Sequence, residues 1–279
     1  MPRAIVVGGG VVGAAVANAL AAERIDVLVL EAGVPGGGAT AAGMGHIVVM
    51  DDSDAQFALT AYSRALLDEL LPEVNARAEY QRCGTLWIAE DQEQLQAVRD
   101  KHVYYNEHGV RAEPLDAQSL AEAEPNLRPG LAGALLIPDD GVLYPPGLAR
   151  LLLERAAAHK CEVRRLRVQA IEPHAVITEQ GRLQADVIVN AAGAAAPALT
   201  AELPIVPRKG HLVVTDRYPG FCRHQLVELG YLHSAHTMNA ASVAFNLQPR
   251  RTGQMLLGSS RELVGWDGSI NRSVLQQML

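Results

Sequence analysis

The 279-residue sequence has little cysteine, no long apolar run and no excess of positive charge, and each shortage removes a class of function. Its three cysteines, Cys83, Cys161 and Cys222, lie far apart and form no CxxC pair. Zinc ribbons, iron–sulfur ligation and thioredoxin-type chemistry therefore lack their spacing. Three is also an odd number for a disulfide framework. The expectation is buried, inert thiols in a reducing, cytoplasmic setting, with no metal site. No segment approaches 18 unbroken apolar residues, so no membrane span is expected; peripheral contact with the inner membrane stays open. Met1-Pro2-Arg3 runs straight into a strand-like segment, without the apolar stretch and cleavage site of a signal peptide. The net charge of −7 repels phosphate backbones, which makes nucleic acid a poor partner. The arginines between Arg150 and Arg182 read as solvated faces. Internal repeats and low-complexity linkers are missing too, apart from an alanine cluster at Ala194 to Ala198.

What is present is a globular composition, 49% hydrophobic and 20% charged, in a length that suits one large or two ordinary domains. The richest stretch comes first. Ala4-Ile5-Val6-Val7 is short and β-branched, as a buried parallel strand should be. Gly8-Gly9-Gly10-Val11-Val12-Gly13 follows, then an alanine-rich helix over Ala14 to Glu23, then a second buried strand, Asp26 to Leu30, ending in Glu31. Gly8 permits the tight turn, Gly10 lets the backbone approach a pyrophosphate, and Gly13 lets helix and strand pack closely. The helix N-terminus behind Val11 and Val12 offers N–H groups and a partial positive charge to phosphates. Glu31, followed by Ala32, can accept hydrogen bonds from ribose hydroxyls and would repel the extra phosphate of NADP. A lone GxGxxG is weak; the strand before, the helix after and the acid about 20 residues on supply its context.

A second glycine-rich loop, Pro35 to Gly45, comes directly after the acid. A compact NAD site does not need it, and a longer dinucleotide does. With these two loops the sequence resembles the D-amino-acid oxidase-like family of flavoproteins. The resemblance implies FAD, with Thr40 and Ala41 near its phosphates and Gly43, Met44, Gly45 and His46 along the flavin ring. It implies that Ala191-Ala192-Gly193, after the buried strand Asp186 to Asn190, passes near the adenosine and pyrophosphate, and that Val168 contacts adenine through its backbone. The fold expected is α/β (α+β overall): a discontinuous Rossmann-like FAD-binding domain, residues 1–46 and 140–203, and a mostly antiparallel β substrate domain, residues 47–139 and 204–279.

Elsewhere the pattern predicts a helix from Ala55 to Leu71, started by Asp51-Asp52-Ser53, whose core face is Leu59, Tyr62, Leu66, Leu67, Leu70 and Leu71. Helices are also expected over 91–108, 119–124 and 145–159. Gly84 to Ala89, 163–170, 175–178, 211–215, 225–229, 241–247 and 255–257 read as strands. Within the family, Ala41 to Asp52, Cys83 to Trp87, Glu122 to Leu127, Pro207 to Leu212 and Gly258 to Arg261 resemble the flavin subunit of D-hydroxyproline dehydrogenase. That resemblance implies transfer of a hydride from an amino-acid α-carbon to flavin N5, giving an imine, and redox partner subunits in a hetero-oligomer. Oxidation of glycine, sarcosine or a 2-hydroxy acid is the alternative, and an inactive or partner-binding fragment is a third reading. The catalytic candidates are His46, Met44 and Tyr231. His46 leads the candidates for the substrate carboxylate, ahead of Arg208, Lys209, Tyr231, His233 and His236. Family members continue past the point where this sequence stops, so a truncated C-terminus is expected.

Overall fold

The computed structural model describes residues 3–229 and 241–279. In chain order the first half holds β1 (Arg3–Val7), α1 (Val11–Ala22), β2 (Asp26–Glu31), α2 (Gly38–Ala41), β3 (His46–Ile47), α3 (Asp54–Asp68), α4 (Leu71–Arg77), β4 (Thr85–Ala89), α5 (Gln92–Glu107), β5 (Glu113–Asp116), α6 (Ala117–Ala123), β6 (Gly133–Ile137) and β7 (Gly141–Val142). Then follow α7 (Pro145–Ala157), β8 (Cys161–Arg165), β9 (Val168–Glu172), β10 (Ala175–Thr178), β11 (Gly181–Gln184), β12 (Val187–Asn190), a 3₁₀ turn (Gly193–Ala198), β13 (Val213–Val214), β14 (Gln225–Glu228), β15 (Ala241–Pro249), β16 (Met255–Glu262) and α8 (Arg272–Met278).

These elements form two units. One comprises Met1–Gly43, Glu73–Ala78 and Tyr144–Pro207. Its parallel sheet runs β12-β1-β2-β8. The central strands β1 and β2 are buried almost throughout, as their unbroken apolar sequences require. Helix α1 turns Gly13, Ala14, Ala17 and Ala21 inward, a face of small residues that packs against α7. A three-stranded antiparallel ribbon, β9-β10-β11, lies in the same unit, and Ile5, Leu28, Leu30, Leu166 and Val176 make its core with the sheet. Burial of each such side chain is worth about 1.5–3 kcal/mol.

The other unit comprises Met44–Pro72, Glu79–Leu143 and Arg208–Leu279. Its seven-stranded sheet has the order β13-β16-β15-β14-β4-β6-β5, antiparallel at every step except β14–β4, which is parallel. Side chains alternate across it. Trp87, Leu135, Ile137 and Val227 face Phe57 of α3 and Val98 and Tyr105 of α5. Leu86, Ile88, Ala134 and Leu226 face Leu120 of α6 and Met255 on the opposite side.

Several local expectations are corrected. Leu59 and Tyr62 are 66% and 64% exposed, and Leu66 is exposed as well. The inward face of α3 is instead Phe57, Thr60, Arg64 and Leu67. Polar groups decide this: Arg64 reaches buried Asp140 at 3.3 Å, and Thr60 Oγ1 accepts the Met50 N–H. The long helix also breaks at Glu69-Leu70 and restarts as α4, because Pro72 has no N–H for the Asp68 carbonyl, its ring crowds that carbonyl, and it suits a first turn. The single strand read over 163–170 is two strands in different sheets, β8 and β9, parted at Leu166-Arg167. Of 211–215 only β13 is strand, and β5 and β6 carried no clear signal. The expected start of the first helix at Ala14 moves to Val11.

A candidate cofactor cradle and a polar pocket

The first unit builds a cradle at the C-terminal end of its parallel sheet. Gly8 follows β1 with φ of 105°, a conformation that L side chains rarely adopt, and a Cβ there would lie 2.4 Å from the Ala191 carbonyl oxygen. A Cβ on Gly13 would lie 2.0 Å from the Gly8 carbonyl oxygen. So the turn, the start of α1 and the loop after β12 pack backbone to backbone. A Cβ on Gly10, by contrast, would meet only Thr40 Oγ1, at 3.1 Å, which leaves the face above the turn open to a ligand. Glu31 closes the cradle: the Gly9 N–H donates to its Oε2 (2.7 Å) and the Gly33 N–H to its Oε1 (2.6 Å). Each carboxylate oxygen has a further lone pair for a ribose hydroxyl. Thr40, on α2, accepts the Val11 N–H (3.0 Å), and the first-turn N–H groups of α1 have no carbonyl partner within the helix itself. These features fit the phosphates and ribose of FAD.

The expected cofactor residues distribute as follows. Gly8, Gly10, Val11, Val12 and Gly13 form the turn and first turn of α1; Glu31 and Ala32 lie at the end of β2; Thr40, Ala41 and Gly43 lie on and after α2. Ala192 and Gly193 follow β12, with the Ala192 N–H held by Asn190 Oδ1 at 3.3 Å. Val168 opens β9 beside a register irregularity in its pairing with β10. Met44, Gly45 and His46 belong to the second unit.

In that unit Met44 is buried, and Gln248 Nε2 donates to its carbonyl oxygen at 2.7 Å. Its sulfur packs so closely on Gly258 that a Cβ there would come within 2.7 Å. Gly45, with φ of 89°, accepts the Leu143 N–H, and His46 then pairs with Val142 in the short β3–β7 ladder. This anchoring aims His46 into a cavity of about 170 Å³. Trp87 of β4, Gln225 of β14 and Asn246 of β15 supply its polar wall, and Val48, Met50 and Val227 its apolar one. Burial pushes the His46 imidazole down to about 4, with the Gln248 side chain opposing, so the ring is neutral at pH 7. It can hydrogen-bond a carboxylate but offers it no positive charge.

Charges stand behind the walls, already paired. Lys101 Nζ sits 4.5 Å from the centroid of the Trp87 ring and is bound by both oxygens of Asp51. Burial lowers the lysine, and Asp51 works against that. Asp140 accepts from Arg64, yet burial pushes its carboxyl up to about 7. Lys209 is engaged by Glu262 (3.4 Å) and Asp267 (3.3 Å). Tyr231, His233 and His236 lie outside the described residues. The thiols of Cys83 and Cys161 are pushed up to about 11 by burial, and Cys222 is raised further by the same cause. Among the described residues no helix is long and apolar enough to cross a membrane. Sequence reasoning missed Trp87, Gln225, Asn246 and Asp140. The available signal was a polar residue at an inward position of an apolar strand, as in Gln225-Leu226-Val227.

The family model described as "DAO: FAD dependent oxidoreductase" matches residues 3–279. The chain belongs to this family. Among curated members it is 31% identical to the glycine oxidase of Geobacillus kaustophilus over 226 residues, 75% of this chain and 60% of that protein. It is 34% identical to a D-amino acid dehydrogenase of Chromohalobacter salexigens over 176 residues, 56% of this chain and 41% of that one. The chain thus spans less than two thirds of the length of these relatives. The crystal structure of the G. kaustophilus glycine oxidase superposes with a TM-score of 0.85 at 26% identity, covering 100% of this chain and 76% of that one. That of L-proline dehydrogenase from P. horikoshii gives 0.88 at 21% identity, covering 99% and 75%, a likeness of fold. The parallel sheet and the larger, mainly antiparallel sheet are the mixed α/β architecture of this family.

Proposed function

We propose that this chain is the flavin- and substrate-binding part of an FAD-dependent oxidoreductase acting on an amino acid, D-hydroxyproline or a related cyclic or D-amino acid. It would work in the cytoplasm and pass electrons to redox partner subunits. The observation that carries the reading is the cradle closed by Glu31, whose carboxylate is braced by two backbone N–H groups and keeps a free lone pair on each oxygen for a ribose. When bound, FAD supplies the two-electron acceptor for the carbon that bears the amine.

The chain's own residues then have defined tasks. Gly8 and Gly13 let the turn, the helix start and the loop after β12 pack closely, and Gly10 keeps a side chain out of the path of the pyrophosphate. The first turn of α1, at Val11 and Val12, offers it N–H groups and a partial positive charge. Gly43, Met44 and Gly45 carry the chain to His46, and Ala192, Gly193 and Val168 offer backbone toward the adenosine end. The α-carbon can give up its hydride only when the amine beside it is neutral, and a cavity with no charged group among its described lining residues disfavours the ammonium form. His46, with its imidazole near 4, is too weak a base to strip an ammonium. Its role is to orient, together with Met44, which fixes the segment through Gln248. Tyr231 is kept as a second candidate for substrate contact.

Oxidation of glycine or sarcosine is the second reading, supported by the 31% identity with glycine oxidase. An anaerobic visible spectrum of the purified chain tests both. A flavin band that bleaches with cis-4-hydroxy-D-proline supports the first; bleaching by glycine or sarcosine alone supports the second. A chain that folds but binds no flavin at micromolar FAD refutes both and leaves a partner-binding fragment.

A further inference from the structure

The cavity of the second unit is lined by four residues that each hold a buried polar atom with no hydrogen-bond partner among the described residues: His46 Nε2, Trp87 Nε1, Gln225 Oε1 and Asn246 Oδ1. Trp87, Gln225 and Asn246 are each only 2% exposed. A buried polar group left unpaired costs about 1–3 kcal/mol, so four on one small cavity call for an occupant. A cavity of about 150 Å³ holds a benzene-sized molecule, and this one is of that order.

The chemistry of the four atoms narrows what can enter. A carboxylate would meet two amide oxygens and, among the described residues, no cation, since Lys101 and Arg64 are committed to Asp51 and Asp140. An ammonium would be buried with no counter-charge, which is costly. A purely apolar group would leave all four atoms unpaired. A hydroxyl brings no charge and can pair up to three of the four atoms. It accepts from the Trp87 indole N–H, donates to Gln225 or Asn246, and meets His46 Nε2 in either role, because a neutral imidazole nitrogen donates or accepts according to tautomer. Val48, Met50 and Val227 pack the carbon that carries it.

We infer that this cavity is a hydroxyl-recognition pocket, filled by an alcohol group on the substrate's ring or side chain, and that Trp87, Gln225 and Asn246 set the preference for hydroxylated over unhydroxylated amino acids. The inference rests on the amino-acid oxidoreductase reading and names its substrate class. Ordered water is the competing occupant.

The test uses the full chain with FAD, in a Trp266→Phe background. Trp266 is exposed and outside the pocket, and with only two tryptophans in the sequence this leaves Trp87 as the sole indole reporter. Binding is followed by Trp87 fluorescence, and anaerobic flavin bleaching is followed in parallel. Two matched pairs are compared: cis-4-hydroxy-D-proline with D-proline, and D-serine with D-alanine. A site built around a hydroxyl should favour the hydroxylated member of a pair by about 10- to 100-fold or more, because the other member leaves buried polar groups unpaired. Gln225→Leu with Asn246→Leu should bring that ratio close to one. The wild-type ratio needs no variant, so the test survives a variant that fails to fold. Equal affinities within both pairs, with bleaching intact, overturn the hydroxyl pocket alone and leave water as its occupant. Bleaching by none of the four amino acids overturns the reaction reading, and this inference with it.

Discussion

Asp140→Asn should make the second unit more stable as pH rises, even though it removes an ion pair. Asp140 is 1% exposed, its partner Arg64 is 3.3 Å away, and burial still pushes its carboxyl up to about 7. In the unfolded chain an aspartate titrates at about 3.9. A folded value above the unfolded one means that the folded state holds the proton more tightly. The stability tied to that proton is fully present below about pH 4 and is lost as pH rises through about 7. The rise from about 4 to about 7 corresponds to about 4 kcal/mol, lost in full once the pH is well above 7. Asparagine resembles the protonated acid and does not titrate. Relative to the parent, the variant should therefore gain about 2–3 kcal/mol between pH 5 and pH 8. Comparing the two pH values removes the fixed cost of losing the Arg64 contact.

His46 acts in the opposite direction and must be separated. Its folded value, about 4, lies below the unfolded 6.5, so its contribution is present above pH 6.5 and lost as pH falls toward 4, about 3 kcal/mol in all. In the parent these slopes nearly cancel between pH 5 and 8. In Asp140→Asn only the His46 slope remains, and stability should climb with pH. Urea unfolding followed by tryptophan fluorescence measures this in the right place, since Trp87 and Trp266 both lie in the second unit. A stability difference between variant and parent that is the same at pH 5 and pH 8 would refute the burial argument for Asp140.

Two further outcomes follow from the same geometry. Gly13→Val puts a side chain where a Cβ alone comes within 2.0 Å of the Gly8 carbonyl, so the chain should lose its capacity to retain FAD; unchanged flavin absorbance after gel filtration would contradict the packing. Lys101→Met leaves Asp51 without its buried partner and should cost about 3–5 kcal/mol, while Lys101→Met with Asp51→Asn should cost clearly less than the two single changes added together, as a double-mutant cycle in urea would show.

The cradle and the pocket differ in how far sequence reveals them, and the cause is contact distance along the chain. Gly8, Gly13 and Glu31 fall within two dozen residues, and each answers a backbone requirement that few other residues can meet. A turn at φ of 105° and a closest approach of helix to loop both write glycine into the sequence. The pocket draws His46, Trp87, Gln225 and Asn246 from β3, β4, β14 and β15, and the last two meet Trp87 only because β14 pairs with β4 in parallel and with β15 in antiparallel register. Nothing local marks that register. Helix α3 shows the same limit from the other side. Its leucines at 59 and 66 have helical spacing, yet the face that turns inward is chosen by Arg64 and Thr60, whose partners, Asp140 and the Met50 N–H, come from elsewhere in the chain. A buried carboxyl that needs a guanidinium outweighs the gain of about 1.5–3 kcal/mol from covering one leucine, because an unpaired buried charge costs more. Where an apolar stripe competes with a buried charge for one helix face, the charge decides, and its position is visible only once the fold has formed.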